Sequence, residues 1–201
     1  MLPIPLPRDF FLGPPERVAR SLLVKLLIRR PEAPDDETTI GRIVEVEAYL
    51  GASDPAAHAF AGKTARNAVL FGPPGHAYVY FIYGMYFCLN VACQPAGKAG
   101  CVLIRALQPI SGFPTMARRR NLPANTHPRL LASGPGRLCQ AFAITRAEHN
   151  GLDLTQAASV LTLAQDGFSS RRIDATPRIG IRHAAERPLR FTLRGNPFLA
   201  K

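Results

Sequence analysis

The stretch that decides the fold is Ile40-Gly-Arg-Ile-Val-Glu-Val-Glu-Ala-Tyr-Leu50. It is rich in β-branched residues, which favour a strand. Because side chains alternate between the two faces of a strand, the pattern places Ile43, Glu45, Glu47 and Tyr49 on one side. Glu45 and Glu47 then lie among the apolar neighbours Val44, Val46 and Ala48. Carboxylates are seldom buried without a partner or a purpose, so this strand is the first candidate for a functional site.

Strand signals recur after this segment. Residues 78–93 predict a hairpin, because aromatic and β-branched residues precede a turn at Gly84 and an apolar run follows it. Residues 100–107 predict a further strand. Residues 51–77 contain Gly, Pro, Ala and charged residues without a period, which predicts a long loop. A loop of this length inside a compact domain is usually functional.

The remaining signals predict short helices and an N-terminal arm. Residues 1–13 are interrupted by prolines, which predict an extended arm, and Pro14-Pro15 is suited to a first helical turn. Residues 116–120 and 137–142 predict two more short helices. Neither a repeat nor an interdomain linker is visible. We therefore expect one α+β domain over residues 1–201, with a largely antiparallel sheet.

The charge of the chain is strongly positive. Lys and Arg total 25 against 14 Asp and Glu, which gives a formal net charge of +11. Such an excess favours a polyanionic partner, either nucleic acid or an anionic membrane surface. Only four of these cations are lysines, and the planar guanidinium of arginine suits phosphate recognition. We therefore favour nucleic acid.

Cysteine spacing and hydropathy exclude several classes of protein. Cys88, Cys93, Cys101 and Cys139 lack the spacing of a metal site, and no histidine pair completes one, so we expect neither a metal nor a disulfide framework. No apolar run approaches the ~20 residues that a membrane span needs. The proline-rich N-terminus is unlike a signal peptide. We expect a soluble cytoplasmic protein that does not bind membranes.

Tyrosines are the second candidate feature. Tyr49 lies on the Glu47 face, and the hairpin at residues 78–93 contains further tyrosines, whose flat faces suit a pocket that stacks a base. A strand tyrosine is equally typical of a core, and Glu47 could simply pair with one of the many arginines. His58, a lone histidine, is more typical of a surface residue. The pattern alone therefore leaves a nucleobase pocket and an ordinary ion-paired strand both open.

Several long motifs, all in one order, resemble the alkyladenine (3-methyladenine) DNA glycosylase family. They are residues 41–51, 54–58, 64–67, 78–90, 102–107, 133–141 and 188–191. The resemblance covers about residues 10–198 and is to a bacterial-type core, without the long N-terminal extension of vertebrate members. It implies a curved, barrel-like antiparallel sheet surrounded by short helices, with a protruding hairpin that enters the DNA minor groove.

The resemblance also implies roles for individual residues. Glu47 matches a general base that activates water, and Arg105 and the main chain near Ile181 match groups that hold that water. The implied base-binding pocket consists of Tyr49, Ala56, His58, Tyr80, Asn90 and Ile181. Tyr83 matches a wedge that intercalates where the base has been extruded. The implied outer contacts to DNA are Met85, Arg118, Arg137 and Arg182.

Three positions depart from the family pattern. Val46 stands where relatives often have Thr, and it should face away from Glu47. Arg182 stands where some relatives have Gly, and Leu70-Phe71 replaces a Met-Phe pair of a DNA-facing loop. We expect the first departure to matter little, and the other two to alter substrate preference or the search for damage.

The implied reaction is excision of a damaged purine from DNA. A base inside a duplex is unreachable, so it must be flipped out before an ionised Glu47 can direct water at the sugar. The implied substrates are alkylated or deaminated purines such as 3-methyladenine, hypoxanthine and ethenoadenine. No lysine lies in the Glu47 region, which predicts excision without strand cleavage by a monomer that needs no cofactor.

Two alternatives remain at this point. One is a basic module that binds nucleic acid without catalysis, and the other is an enzyme that acts on free nucleosides. A buried carboxylate is of no use to a protein that only binds phosphates. A small neutral nucleoside does not require a net charge of +11.

Overall fold

The sheet is the central feature of the fold. The computed structural model describes residues 3–82, 84–170 and 172–200. Within these ranges nine strands form one sheet, and every pairing between them is antiparallel. The strands are β1 (Ile4–Pro5), β2 (Leu26–Arg29), β3 (Thr39–Tyr49), β4 (Ala77–Ile82), β5 (Tyr86–Ala92), β6 (Cys101–Ser111), β7 (Leu161–Gln165), β8 (Ile173–Thr176) and β9 (Arg190–Leu193).

The strand order explains the curled shape of the sheet. The main path runs β1-β7-β2-β3-β6-β5-β4, while β9 pairs with the end of β3 and with β8. Strand β3 therefore has two neighbours on the same edge: β2 along its first part and β9 along its last part. The sheet curls into a half-barrel around β3. The predicted α+β domain with a curved antiparallel sheet is confirmed.

Short helices lie against this sheet. They are α1 (Pro15–Leu22), α2 (Phe113–Arg119), α3 (Arg129–Ala132), α4 (Pro135–Ala141) and α5 (Arg146–His149). Helix α1 begins at the predicted proline pair and buries Val18 and Leu22 in the core. None of the helices in the described ranges combines the length and the apolar character needed to cross a membrane.

Strand β3 pairs irregularly near its middle. The pairing of β3 with β6 shifts register between Ile43 and Glu45 and shifts again between Glu45 and Val46, after which the original register returns. Ile43, Val44 and Val46 all belong to the buried apolar core. That Ile43 shares a face with Glu45 and Glu47 stays a prediction. Val46 is fully buried in this core.

The N-terminal arm is only partly extended. Ile4–Pro5 is extended and pairs with β7, but Arg8–Phe11 forms a turn of 3-10 helix. Phe11 is 0% exposed, so its ring anchors this turn in the core. The predicted extended arm therefore ends before Arg8, because burial of an aromatic side chain outweighs the preference of prolines for extended backbone.

The hairpin of β4 and β5 projects beyond the sheet. Its register pairs Tyr80 with Cys88 and Ile82 with Tyr86, and Gly84 and Met85 form the turn. Val79 and Leu89 at the base are buried, whereas Met85 at the tip is 62% exposed. The hairpin itself was predicted correctly. Its insertion into a DNA groove stays a prediction.

Candidate active site

A cavity of about 380 Å³ opens beside the hairpin. Its walls come from β3, β4, β5 and β6, from the loop that follows β3, from the start of α4, and from the segment between β8 and β9. All six residues predicted for the base pocket line it, namely Tyr49, Ala56, His58, Tyr80, Asn90 and Ile181. Arg105 lines it as well. Residues from distant parts of the sequence are thus brought together at one site.

Glu47 is fully buried behind the wall of this cavity. Its Oε2 accepts a hydrogen bond from the Tyr49 hydroxyl at 2.9 Å, and its Oε1 accepts one from the Ile179 amide at 2.8 Å. The Arg105 guanidinium lies 3.2 Å from Oε1. Tyr49, Arg105 and Ile179 all line the cavity. The carboxylate is therefore held in one orientation by three donors.

The donors to Glu47 keep their protons. Burial, and then the Glu47 carboxylate, raises the pKa of Tyr49 above its ordinary value, so its hydroxyl remains a donor. Burial alone would lower the pKa of Arg105, but Glu47 and Glu45 outweigh it and raise that pKa. Both groups thus remain hydrogen-bond donors throughout the neutral pH range.

Glu45 is a second buried carboxylate behind the site. Its Oε1 accepts from Arg105 Nε and Arg190 Nε, each at 2.8 Å, and its Oε2 accepts from the Ala200 amide at 2.7 Å. Glu45 therefore fixes the guanidinium that also contacts Glu47. Both carboxylates therefore lie on the Arg105 side of the strand.

The upper wall of the cavity is aromatic. The rings of His58 and Tyr80 lie 4.5 Å apart between centroids, nearly perpendicular to each other, and Tyr78 packs against both. His58 Nδ1 is 2.9 Å from the Tyr78 hydroxyl. Burial, with a contribution from Arg66, lowers the pKa of His58, so this imidazole is neutral at physiological pH. Neutral, flat walls of this kind suit a flat aromatic ligand.

The floor of the cavity combines an amide with thiols. Asn90 Nδ2 donates to the Tyr78 carbonyl at 3.2 Å, and Cys101 Sγ approaches Asn90 Oδ1 at 3.8 Å. Burial raises the pKa of Cys101 to about 12 and also raises that of Cys88. Both thiols are therefore protonated and inert, as predicted for small buried cysteines.

The residues predicted to contact DNA outside the pocket are dispersed. Tyr83 lies outside the described residues. Met85 is exposed at the hairpin tip, and Arg182 is exposed next to Ile181. Arg118 on α2 forms an ion pair with Asp36. These roles stay predictions.

Arg137 lies at a second cavity next to the first one. This second cavity has a volume of about 670 Å³, and Arg120 and Arg129 also line it. This cavity shares Arg105 and Gly136 with the first one. A basic depression therefore adjoins the aromatic cavity, which suits a phosphodiester next to a bound base.

The burial of Leu70 corrects one expectation about the departures from the family pattern. Leu70 was expected in a DNA-facing loop, but it is 2% exposed and belongs to the buried cluster that contains Tyr78 and Cys101. It packs inside the protein because its 3-10 turn, Ala68–Phe71, folds beneath β4 and β5. Leu70 therefore cannot contact DNA directly.

Sequence reasoning missed part of the site. The role of the main chain near Ile181 in holding the attacking water stays a prediction, and the resemblance gave no role to the Ile179 amide that donates to Glu47. It also gave no role to Asp54 or Arg178, which form a completely buried ion pair beside Tyr49. The only available signal was Asp54 at the start of a matched motif. Across the described ranges, no group of three His, Cys, Asp or Glu side chains could hold a metal ion.

Comparison with known proteins gives the family. The chain matches the model of the methylpurine-DNA glycosylase family over residues 9–197. A protein of Koribacter versatilis is 55% identical over 196 residues, which cover 98% of this chain and 93% of the relative. A protein of Methanocella arvoryzae is 48% identical over 98% of this chain and 96% of its own, and one of Burkholderia lata is 46% identical over 97% and 90%. The names of these relatives describe 3-methyladenine DNA glycosylases.

The curled sheet and the buried carboxylate beside an aromatic cavity define a base-excising class of enzyme, the DNA glycosylases. This chain belongs to the methylpurine-DNA glycosylase family. The sequence-based resemblance is thereby confirmed.

Proposed function

We propose that this protein hydrolyses the N-glycosidic bond of damaged purines in duplex DNA and leaves an abasic site. Its substrates are alkylated and deaminated purines of the 3-methyladenine, hypoxanthine and ethenoadenine type. The observation that carries the proposal is Glu47, a fully buried carboxylate held by Tyr49, Arg105 and the Ile179 amide at the wall of an aromatic cavity.

The chemistry follows from the position of that carboxylate. A base reaches the cavity only after rotation out of the stack. As the C1′–N bond breaks, its electron pair leaves with the base and positive charge develops on the sugar, which a nearby carboxylate stabilises. Water then forms the new C1′–O bond and its proton passes to Glu47.

The cavity chemistry supports a damaged purine as the ligand. Tyr49, Tyr80 and His58 offer aromatic faces, and an electron-poor alkylated ring stacks well on such faces. A cavity of about 380 Å³ is within the usual range for small-molecule pockets. The names of the relatives, which specify 3-methyladenine, agree with this class of base.

The proposal includes no strand cleavage. Glycosylases that cut the strand need an amine nucleophile to form a Schiff base. Among the described residues that line the cavity, the cations are Arg66 and Arg105, and none is a lysine. Water directed by Glu47 is therefore the nucleophile. We further propose that the enzyme acts as a monomer on duplex DNA, which its basic surface attracts.

The decisive experiment uses Glu47→Gln. We expect single-turnover release of hypoxanthine and ethenoadenine from duplex oligonucleotides to fall by about 10²–10⁴-fold, because the variant cannot accept a proton. Lesion-duplex affinity should persist, since the amide keeps the size of the carboxylate. Glu148→Gln, an exposed acid on α5, is the matched control and should retain the wild-type rate.

Three outcomes would contradict parts of this proposal. Wild-type excision by Glu47→Gln would remove Glu47 as the base. Tight binding without release of any damaged base by the wild-type protein would leave a pure binding module. Strand breaks that arise without alkali treatment would show a lyase step.

A further inference from the structure

Asp54 and Arg178 form an ion pair that is completely enclosed in the protein. Both side chains are 0% exposed, and Arg178 Nη1 and Nη2 contact Asp54 Oδ2 and Oδ1 at 2.5 and 2.9 Å. Asp54 also accepts hydrogen bonds from the amides of Leu50 at 3.2 Å and Ala56 at 3.1 Å. Enclosing two charges costs free energy that a single ion pair often fails to recover. Such a pair therefore suggests a role beyond stability.

Arg178 touches the support of Glu47 at two points and is the chain neighbour of a third. Its Nη1 donates at 3.0 Å to the carbonyl of Ala48, the residue between Glu47 and Tyr49. Its Cζ lies 4.7 Å from the centroid of the Tyr49 ring. The next residue along the chain is Ile179, whose amide holds Glu47 Oε1. One guanidinium thus joins the end of β3 to the segment that supplies a donor to the carboxylate.

That segment has little regular structure of its own. It lies between β8, which ends at Thr176, and β9, which begins at Arg190, and Ile179 to Ile181 line the cavity. An irregular loop keeps a fixed position only where specific contacts hold it. The bidentate pair with Asp54 is such a contact, and it is adjacent to the Ile179 amide.

The same guanidinium covers one face of the Tyr49 ring. A cation against one face of a tyrosine ring is attracted by its electrons and keeps that ring in place. The opposite face is then the one left for a flat ligand. The Tyr49 hydroxyl donates to Glu47, so a fixed ring also fixes this donor.

We propose that the Asp54–Arg178 pair positions the catalytic carboxylate by anchoring both the Ile179 amide and the Tyr49 ring. Arg178 and Asp54 act through these groups and do not touch the reacting atoms. This inference rests on the proposed function, in which Glu47 is the base. It differs from the role of Arg105, which contacts Glu47 directly.

The test removes both charges of the pair together. Asp54→Asn with Arg178→Gln avoids leaving one unpaired charge in the interior, because such a charge would itself strongly destabilise the protein. We expect the single-turnover excision rate at saturating enzyme to fall by about 10²-fold, since small misplacements of a catalytic group have effects of this size. The dissociation constant for a lesion duplex should change little. A purely structural pair would lower the active fraction and the melting temperature, but not the rate per active site.

Two further variants make the result specific. Arg178→Lys keeps the charge but has one nitrogen in place of two, so it cannot reproduce the two-point contact with Asp54. Its rate should lie between those of the wild type and the double variant. The matched control is Asp166→Asn with Arg42→Gln. Arg42 on β3 and Asp166 form another bidentate pair, with N–O distances of 3.1 and 2.7 Å, away from the cavity. This control should excise at the wild-type rate.

The inference and the proposed function fail in distinguishable ways. A wild-type rate per active site in the Asp54–Arg178 double variant would overturn the inference. An equal loss of rate in the Arg42–Asp166 control would also overturn it, because the effect would then be general. An active Glu47→Gln protein in the same assay would instead overturn the assignment of the base.

Discussion

At the scale of single residues, the site depends on how one carboxylate is held. The donors to Glu47 are a hydroxyl two residues away on the same strand, a guanidinium from β6, and an amide 132 residues later in the chain. Each restricts a different part of the carboxylate, since Tyr49 contacts Oε2 whereas Arg105 and Ile179 contact Oε1. Orientation therefore depends on all three.

Tyr49→Phe separates orientation from stacking. The variant keeps the aromatic ring but loses the hydroxyl that donates to Glu47 at 2.9 Å. A hydrogen bond to a charged group contributes about 1.5–3 kcal/mol, so we expect the single-turnover excision rate to fall roughly tenfold or more. Affinity for the lesion duplex should be retained. An unchanged rate would mean that Arg105 and the Ile179 amide are sufficient to hold the carboxylate.

The sequence reveals these donors unequally. Alternation along one strand predicts that Glu47 and Tyr49 share a face, because both belong to one local pattern. Arg105 could be found only through the resemblance, since nothing local links β6 to β3. The Ile179 amide has no side-chain signal at all, because every residue except proline carries an N–H. Arg178 was missed for a related reason, as one arginine among many.

At the scale of elements, the position of the hairpin depends on its contact with α4. Gly136, in the first turn of α4, has no Cβ, and one placed there would lie 2.9 Å from Cγ and Cδ1 of Tyr86 at the start of β5. Both residues line the aromatic cavity. The absence of a side chain at Gly136 therefore lets the helix approach the hairpin closely.

Gly136→Ala tests this contact through a double-mutant cycle. Overpacking costs about 1–3 kcal/mol, whereas alanine favours a helix over glycine by about 1 kcal/mol. In the wild-type background we expect a net loss of about 1 kcal/mol in the free energy of unfolding. In a Tyr86→Ala background the two ring contacts are gone and only the contact with Cβ of residue 86, at 3.1 Å, remains, so the same substitution should cost clearly less or be neutral. Urea denaturation of the four proteins measures this, and equal effects in both backgrounds would refute the contact.

Elements were easier to predict than their irregularities. The strand pattern located β3 to within a residue at each end, and Gly84 located the turn of the hairpin. The irregular pairing after Ile43 was not predictable, because a register shift depends on the partner strand, which no local pattern reveals. The side shared by Glu45 and Glu47 follows the alternation, since both carboxylates contact Arg105.

At the scale of the whole molecule, two acidic residues tie distant segments of this basic chain together. Asp166, just after β7, accepts two hydrogen bonds from Arg42 on β3. Asp153 pairs with Arg8 of the N-terminal turn at 2.5 Å, across 145 residues of sequence. Both acids therefore stabilise the contacts between these distant segments. The remaining positive charge of the chain stays available for DNA.

These two pairs predict how stability depends on pH. The hydrogen bond from Arg42 lowers the pKa of Asp166 from 3.8 to about 2. Burial alone would raise the pKa of Asp153, but donors from Thr155, Gln156 and Arg8 lower it to about 2. A carboxyl whose pKa is lower in the folded state binds fewer protons there than in the unfolded chain, so its stabilisation is complete above pH 3.8 and is lost as pH falls towards 2.

We therefore expect the free energy of unfolding, measured by urea denaturation, to fall with acidification between pH 3.8 and about 2. Asp166→Asn should be less stable than the wild type at pH 7, and its stability should decline less steeply through this window. The two curves should converge at the acid end, where Asp166 is protonated and accepts weaker hydrogen bonds from Arg42. Parallel curves would show that the ion pair with Arg42 adds no stability. Excision rates at pH 7 should remain unchanged in this variant, because Asp166 lies outside the aromatic cavity.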